Sequence, residues 1–127
     1  IYPKQLRVIF RHFPLEQHTR AKAAAIAAHC AHQQGKFWEY HDLLFANSHA
    51  LEDADFEKYA NQIELNQTSF TQCLQSPKAD EIIEENKQNA IKYGVEGTPA
   101  IYINGIKLIG LLPLPLIRAI IDKELGE

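Results

Sequence analysis

The chain has 127 residues, with 46% apolar and 23% charged residues and a formal net charge of −3. Those values fit one globular domain and exclude a disordered chain. They also argue against a nucleic-acid partner, since indiscriminate binders of phosphate backbones are basic. No run of 18 apolar residues occurs, so no stretch reads as a membrane span. The chain starts at Ile1 and has no methionine, which reads as a processed or excised piece.

The first element in the pattern is Leu6 to His12, apolar and β-branched at its centre and stopped by Pro14. This reads as a strand. From Ala21, six alanines fall in eight positions. Alanine has the highest helix propensity, so a helix is expected over 19–34, with Gly35 as its C-terminal stop. A second helix is expected from Phe37 to Asn47. At its spacing, Phe37, Trp38, Tyr40 and Phe45 read as core more readily than as a peptide groove. Phe56, Tyr59, Ala60 and Ile63 repeat at helical spacing, as do Phe70, Cys73 and Leu74 behind the N-cap candidate Asn66. Ser76-Pro77 pairs an N-cap with proline in the first turn and opens a polar helix to about Tyr93, ended by Gly94. Its core face would carry Ile82, Ile83, Ala90 and Ile91.

The last third changes character. Ala100 to Ile103 and Ile106 to Ile109 flank Asn104-Gly105, the strongest short hairpin signal, because a type I′ turn needs positive φ at both centres. A final helix is expected over Pro115 to Leu125. The apolar run from Ile109 to Ile117 is either an exposed patch or the buried face of that helix. The order of strand, helices, hairpin and helix fits an α/β sheet interrupted by a long helical stretch.

Cys30 and Cys73 lie 43 positions apart and no Cys-x-x-Cys occurs. The arithmetic allows one bridge or two free thiols. His29 and His32 share a helix face, but a metal needs three or four converging ligands and Cys30 points about 100° away. The residues therefore imply no metal site and no cofactor. His18 and His41 read as packing or hydrogen-bonding residues rather than a proton relay.

Several segments, taken in order, resemble the DsbA-like branch of the thioredoxin superfamily. They are Val8 to Leu15 with His18, Cys30-Ala31 with Gln34 to Phe45, Phe70 to Leu74, and Tyr93 to Gly105, which contains Gly97-Thr98-Pro99. The resemblance covers nearly the whole chain. It implies an α/β thioredoxin-like fold with a helical insertion. Residues 1–15 would supply a strand, 16–93 the mostly helical insertion and connecting helix, and 94–127 the cis-proline loop, hairpin and final helix. The family's N-terminal strand and its helix opening with Cys-x-x-Cys have no counterpart here, so the chain reads as the C-terminal part of one such domain, with no catalytic residue of its own.

The resemblance further implies a role for each site residue. Thr98 and Pro99 would form the substrate-binding loop, with the Thr98–Pro99 bond cis, against a base rate of roughly one X-Pro bond in twenty. Cys30 and Cys73 would form a structural, non-catalytic disulfide. The function implied is part of a thiol-disulfide oxidoreductase acting on cysteines of extracytoplasmic proteins, in a bacterial periplasm or cell envelope. Its partners would be cysteine-containing substrate proteins and a redox partner that recycles the absent Cys-x-x-Cys. Without the central strand, self-association by strand swapping would fill the sheet. Two alternatives share the fold: a redox-inactive peptide-binding module, and a glutathione-dependent, kappa-like isomerase or transferase. Since Cys-x-x-Cys is absent, the 127-residue chain alone should show negligible insulin-reducing or oxidative-folding activity. Turnover comparable to an intact relative, abolished by alkylating Cys30 or Cys73, would overturn that expectation.

Overall fold

A computed structural model describes residues 2–108 and 110–126. The elements run α1 (Ala21–Gln33), α2 (Phe37–Ala46), α3 (Asp53–Gln62), α4 (Gln67–Leu74), α5 (Pro77–Lys92), β1 (Tyr102–Ile103), β2 (Ile106–Lys107) and α6 (Leu114–Glu124). They group into two compact units, one of residues 12–90 and one of residues 1–11 with 91–127.

The first unit is helical. Alanine side chains let α1 approach its neighbours closely, and Ala27, Ala28, Cys30 and Ala31 are buried. Around them pack Tyr40 from α2, Phe56, Tyr59 and Ala60 from α3, Phe70 from α4 and Ala79 from α5. Two tyrosines reach the core without stranding a hydroxyl. Tyr40 Oη donates to the Phe56 carbonyl at 2.9 Å, and Tyr59 Oη donates to the Ala50 carbonyl at 2.6 Å. An unpaired buried hydroxyl would cost about 1–3 kcal/mol, so these bonds let an amphipathic ring serve as core. Burial raises the pKa of both phenols.

Local signals set the helix ends. Asn66 Oδ1 accepts from Ser69 N at 2.9 Å, and Ser76 Oγ accepts from Lys78 N at 3.2 Å, so both expected N-caps operate. Asp55 Oδ2 reaches back to Glu52 N at 3.0 Å, half of a capping box. Arg20 holds the approach to α3, with Nε donating to the Leu51 carbonyl and Nη2 to Asp53, both at 2.6 Å. Lys22 bridges Asp80 and Glu84 at 2.9 and 3.0 Å, tying α1 to α5.

Cys30 and Cys73 are joined in a disulfide, with Cα atoms 5.7 Å apart. It fastens the last turn of α1 to the end of α4.

In the second unit, the hairpin pairs Tyr102 with Lys107 and Ile103 with Ile106, antiparallel. Asn104 and Gly105 have φ of 49° and 81°, the double positive φ that a type I′ turn requires. The arms are shorter than the sequence suggests, and Ile109 lies outside the described residues.

Two expectations need correction. Residues 6–12 form no strand, and the sheet among the described residues has only β1 and β2. Leu6, Val8, Ile9 and Phe10 are exposed there. A β-branched run becomes a strand only when a neighbour completes its ladder, and sequence pattern cannot supply that neighbour. The aromatic set of α2 is likewise only partly core. Tyr40 is fully buried, whereas Trp38 and Phe45 are 43% and 70% exposed. Tyr40 with Leu43, Leu44 and the partly buried Phe37 packs on the core, and His41 and Phe45 continue from Phe37 at four-residue spacing toward the surface.

The bridge between α1 and α4 predicts a simple chemical outcome. Folded protein made in an oxidising compartment, alkylated without reductant, should gain no label by intact mass. Replacing both cysteines by alanine should lower unfolding free energy by up to about 4 kcal/mol in urea, the entropic value for a loop of this length.

Candidate functional site: the cis-proline loop and a histidine-aromatic face

The loop between α5 and the hairpin is defined by how its two ends are held. Gly94 has φ of 85° and ends the helix, its N–H donating to the Ile91 carbonyl at 3.0 Å. From the hairpin, Tyr102 Oη donates to the Tyr93 carbonyl at 3.2 Å and Lys107 Nζ to the Gly94 carbonyl at 3.1 Å. A cation and a hydroxyl thus meet carbonyls at the C-terminal end of α5, where the helix leaves acceptors unpaired and its dipole favours positive charge. Residues 95–101 span the distance between these ties.

Within the span the Thr98–Pro99 peptide bond is cis. Thr98, Pro99 and Ala100 are exposed. The Thr98 N–H and carbonyl have no hydrogen-bond partner among the described residues. After the loop the chain re-enters the unit's small core through Leu108 and Ile121, 6% and 9% exposed. The hairpin turn is held to α6 by Asn104 Nδ2 donating to Glu124 Oε2 at 3.1 Å, and Tyr2 Oη donates to Asp122 at 2.7 Å. Of the run from Ile109 to Ile117, Leu111, Leu114 and Leu116 are exposed, so this stretch presents apolar surface.

The helical unit carries a second grouping that sequence reasoning did not assemble. His12 and His32 each lie edge-on to Phe37, with ring centroids 6.1 and 6.3 Å away. His41 stacks obliquely between Phe37 and Phe45, at 5.8 and 4.6 Å. The spacing of 37, 41 and 45 was available as a signal, but the long-range approach of His12 was not. His12 is buried and its backbone N–H donates to Asn86 Oδ1 at 3.2 Å. Burial, together with the neighbouring His29 and His32, pushes its pKa down to about 4. Burial and His32 also lower that of His29, whose Nε2 lies 3.4 Å from Gln33 Nε2. Among the described residues no three His, Cys, Asp or Glu side chains converge as a metal site.

The fold and the proline loop define a thioredoxin-fold chain with a helical insertion. A family profile described as thioredoxin matches residues 1–123, and the chain belongs to that family. Its structure is DsbA-like. It superposes on alpha-DsbA1 of Wolbachia pipientis with a TM-score of 0.74 at 28% identity, covering 93% of this chain and 67% of that one. Among curated proteins, the chain is 38% identical over 101 residues to the Na(+)/H(+) antiporter NhaA 3 of Salinispora tropica, which is 79% of this chain and 16% of that protein. The match to the antiporter NhaA of Herminiimonas arsenicoxydans is 32% over 117 residues, 92% of this chain and 18% of that protein. The chain therefore spans about a sixth of the length of these curated relatives.

The His12 environment generates a pH prediction. Its folded pKa lies below the unfolded value of 6.5, so the unfolded state binds the extra proton. The stability contributed by neutral His12 is fully present above pH 6.5 and is lost as pH falls toward 4. Between pH 7 and 5 the loss should be about 2 kcal/mol by this linkage. Urea unfolding at the two values, compared with His12→Gln, tests it: the variant should lose most of this difference, and an equal loss in both proteins would assign it elsewhere.

Proposed function

We propose that this chain is the peptide-holding part of a DsbA-like thiol-disulfide oxidoreductase acting on extracytoplasmic proteins. The observation that carries this reading is the exposed Thr98, with an unpaired backbone donor and acceptor, at the proline loop of a thioredoxin-family chain. An extended peptide could pair with those groups as an added strand, main-chain bonds supplying affinity without fixing sequence. Leu111, Leu114 and Leu116 in the same unit add exposed apolar area. Such area suits unfolded substrate segments. The redox step requires a Cys-x-x-Cys thiolate that this sequence does not contain. In the whole protein, that thiolate would exchange with a substrate disulfide through a mixed-disulfide intermediate. The Cys30–Cys73 bridge supports an oxidising compartment, where such bonds persist. In the sheet, an added strand from a second copy or a neighbouring segment would complete the ladder that residues 6–12 lack.

A second reading rests on the curated relatives. Proteins named as Na(+)/H(+) antiporters carry a matching segment as about a sixth of their length, so this chain would be the thioredoxin-fold part of such a protein. The reading frame on either side of the 127 residues distinguishes the two: a Cys-x-x-Cys helix alone favours the first, and a run of membrane spans favours the second.

Peptide capture itself is testable on the chain as it stands. An extended peptide with serine in place of cysteine, added to nitrogen-15-labelled protein, should shift amides of Gly97, Thr98, Ala100 and Ile101. N-methylation of the peptide's central amide should weaken binding at least tenfold, about 1.4 kcal/mol. Equal binding of the methylated peptide, or shifts confined to other residues, would remove the strand-addition reading.

A further inference from the structure

The two sulfurs of the disulfide differ in what surrounds them. Cys30 is 1% exposed, packed at the start of the last turn of α1 among buried alanines. Cys73 is only partly buried and forms part of the wall of a cleft of about 280 Å3. The other walls are polar: Gln33 from α1, Ser69 and Gln72 from α4, and Ser76 with Lys78 at the start of α5. Lys78 is exposed and makes no ion pair among the described residues.

We propose that this cleft is a thiol-exchange site, at which a small anionic thiol attacks Cys73 and leaves Cys30 as the buried thiol. Displacement at sulfur runs in line, with the entering sulfur opposite the leaving one. The nucleophile must therefore approach the attacked sulfur from the side away from its bridge partner. Cys30 is 1% exposed within the helical core, whereas Cys73 is partly buried and lines the cleft, so access selects Cys73. The electron count closes without an outside oxidant. The entering thiolate forms a bond to Cys73 Sγ, the Cys73–Cys30 bond breaks, and Cys30 departs as thiolate and takes a proton from water. The released Cys30 thiolate can attack the mixed disulfide in turn, so the exchange is reversible. Lys78 supplies the charge preference, since a cation in the cleft lining raises the local concentration of an anionic thiol. The polar side chains provide hydrogen-bonding groups for a peptide-like thiol. The site lies wholly within residues 12–90 and is independent of the function proposed for the proline loop.

The test uses folded, oxidised protein and two probes, reduced glutathione (anionic) and cysteamine (cationic), at equal thiolate concentration. Samples are quenched with N-ethylmaleimide in denaturant and mapped as peptides. The expected product carries the probe on Cys73 and maleimide on Cys30, and forms several-fold faster with glutathione. Lys78→Gln, an exposed change that should not perturb folding, should remove most of that preference. Adduct on Cys30, comparable adduct on both cysteines, or reaction only at denaturant concentrations that unfold the protein would each overturn the site. An unchanged preference in the Lys78→Gln protein would overturn the role of the lysine and, with it, the selection of anionic thiols.

Discussion

The close approach that alanine permits along α1 is the constraint on which the helical unit depends. A bulky residue at Ala27 or Ala31 would push away the helices whose large rings, Tyr40, Phe56 and Phe70, fill the space around that face. Volume is thus distributed unevenly: α1 contributes backbone proximity and its neighbours contribute bulk. The disulfide sits on the same face and makes the arrangement covalent at one point. The two phenolic hydroxyls then resolve the conflict that large rings create, since each reaches a main-chain carbonyl, Phe56 within α3 for Tyr40 and Ala50 ahead of α3 for Tyr59.

Much of this was legible in the sequence, for a physical reason. Helices carry their hydrogen bonds internally, so propensity, periodicity and caps specify them locally, and Asn66 and Ser76 sit where their side chains are used. The Asn104-Gly105 turn was legible for the same reason, as its conformation is set by two adjacent residues. The segment at Leu6 to His12 was not, because a strand is a property of a pair. Nor was the uneven burial of the aromatic residues of α2. Periodicity reports that Phe37, Trp38 and Phe45 are apolar on a helix, but not that only Phe37 of the three packs on the core.

For the site, the resemblance located Thr98 and Pro99, and the hairpin signal placed them before a turn. What pattern could not provide was the pair of ties from Tyr102 and Lys107 that define the loop's ends. Those bonds join residues 9 and 13 positions apart through side chains that would otherwise read as ordinary surface groups. The gathering of His12 against Phe37 escaped for the same reason, as the two lie 25 positions apart.

Both ties end on main-chain carbonyls, and this makes sequence tolerance around the loop asymmetric. Any residue at position 93 presents the same carbonyl, and the Tyr93 ring itself is 79% exposed. Its identity is therefore free to drift toward whatever a binding surface needs. Positions 102 and 107 have no such freedom, because there the side chain is the fastener. Gly94 is held for a third reason, its positive φ rather than its carbonyl. The loop's anchorage and its surface chemistry are thus encoded in separate residues, so one can diversify while the other stays fixed.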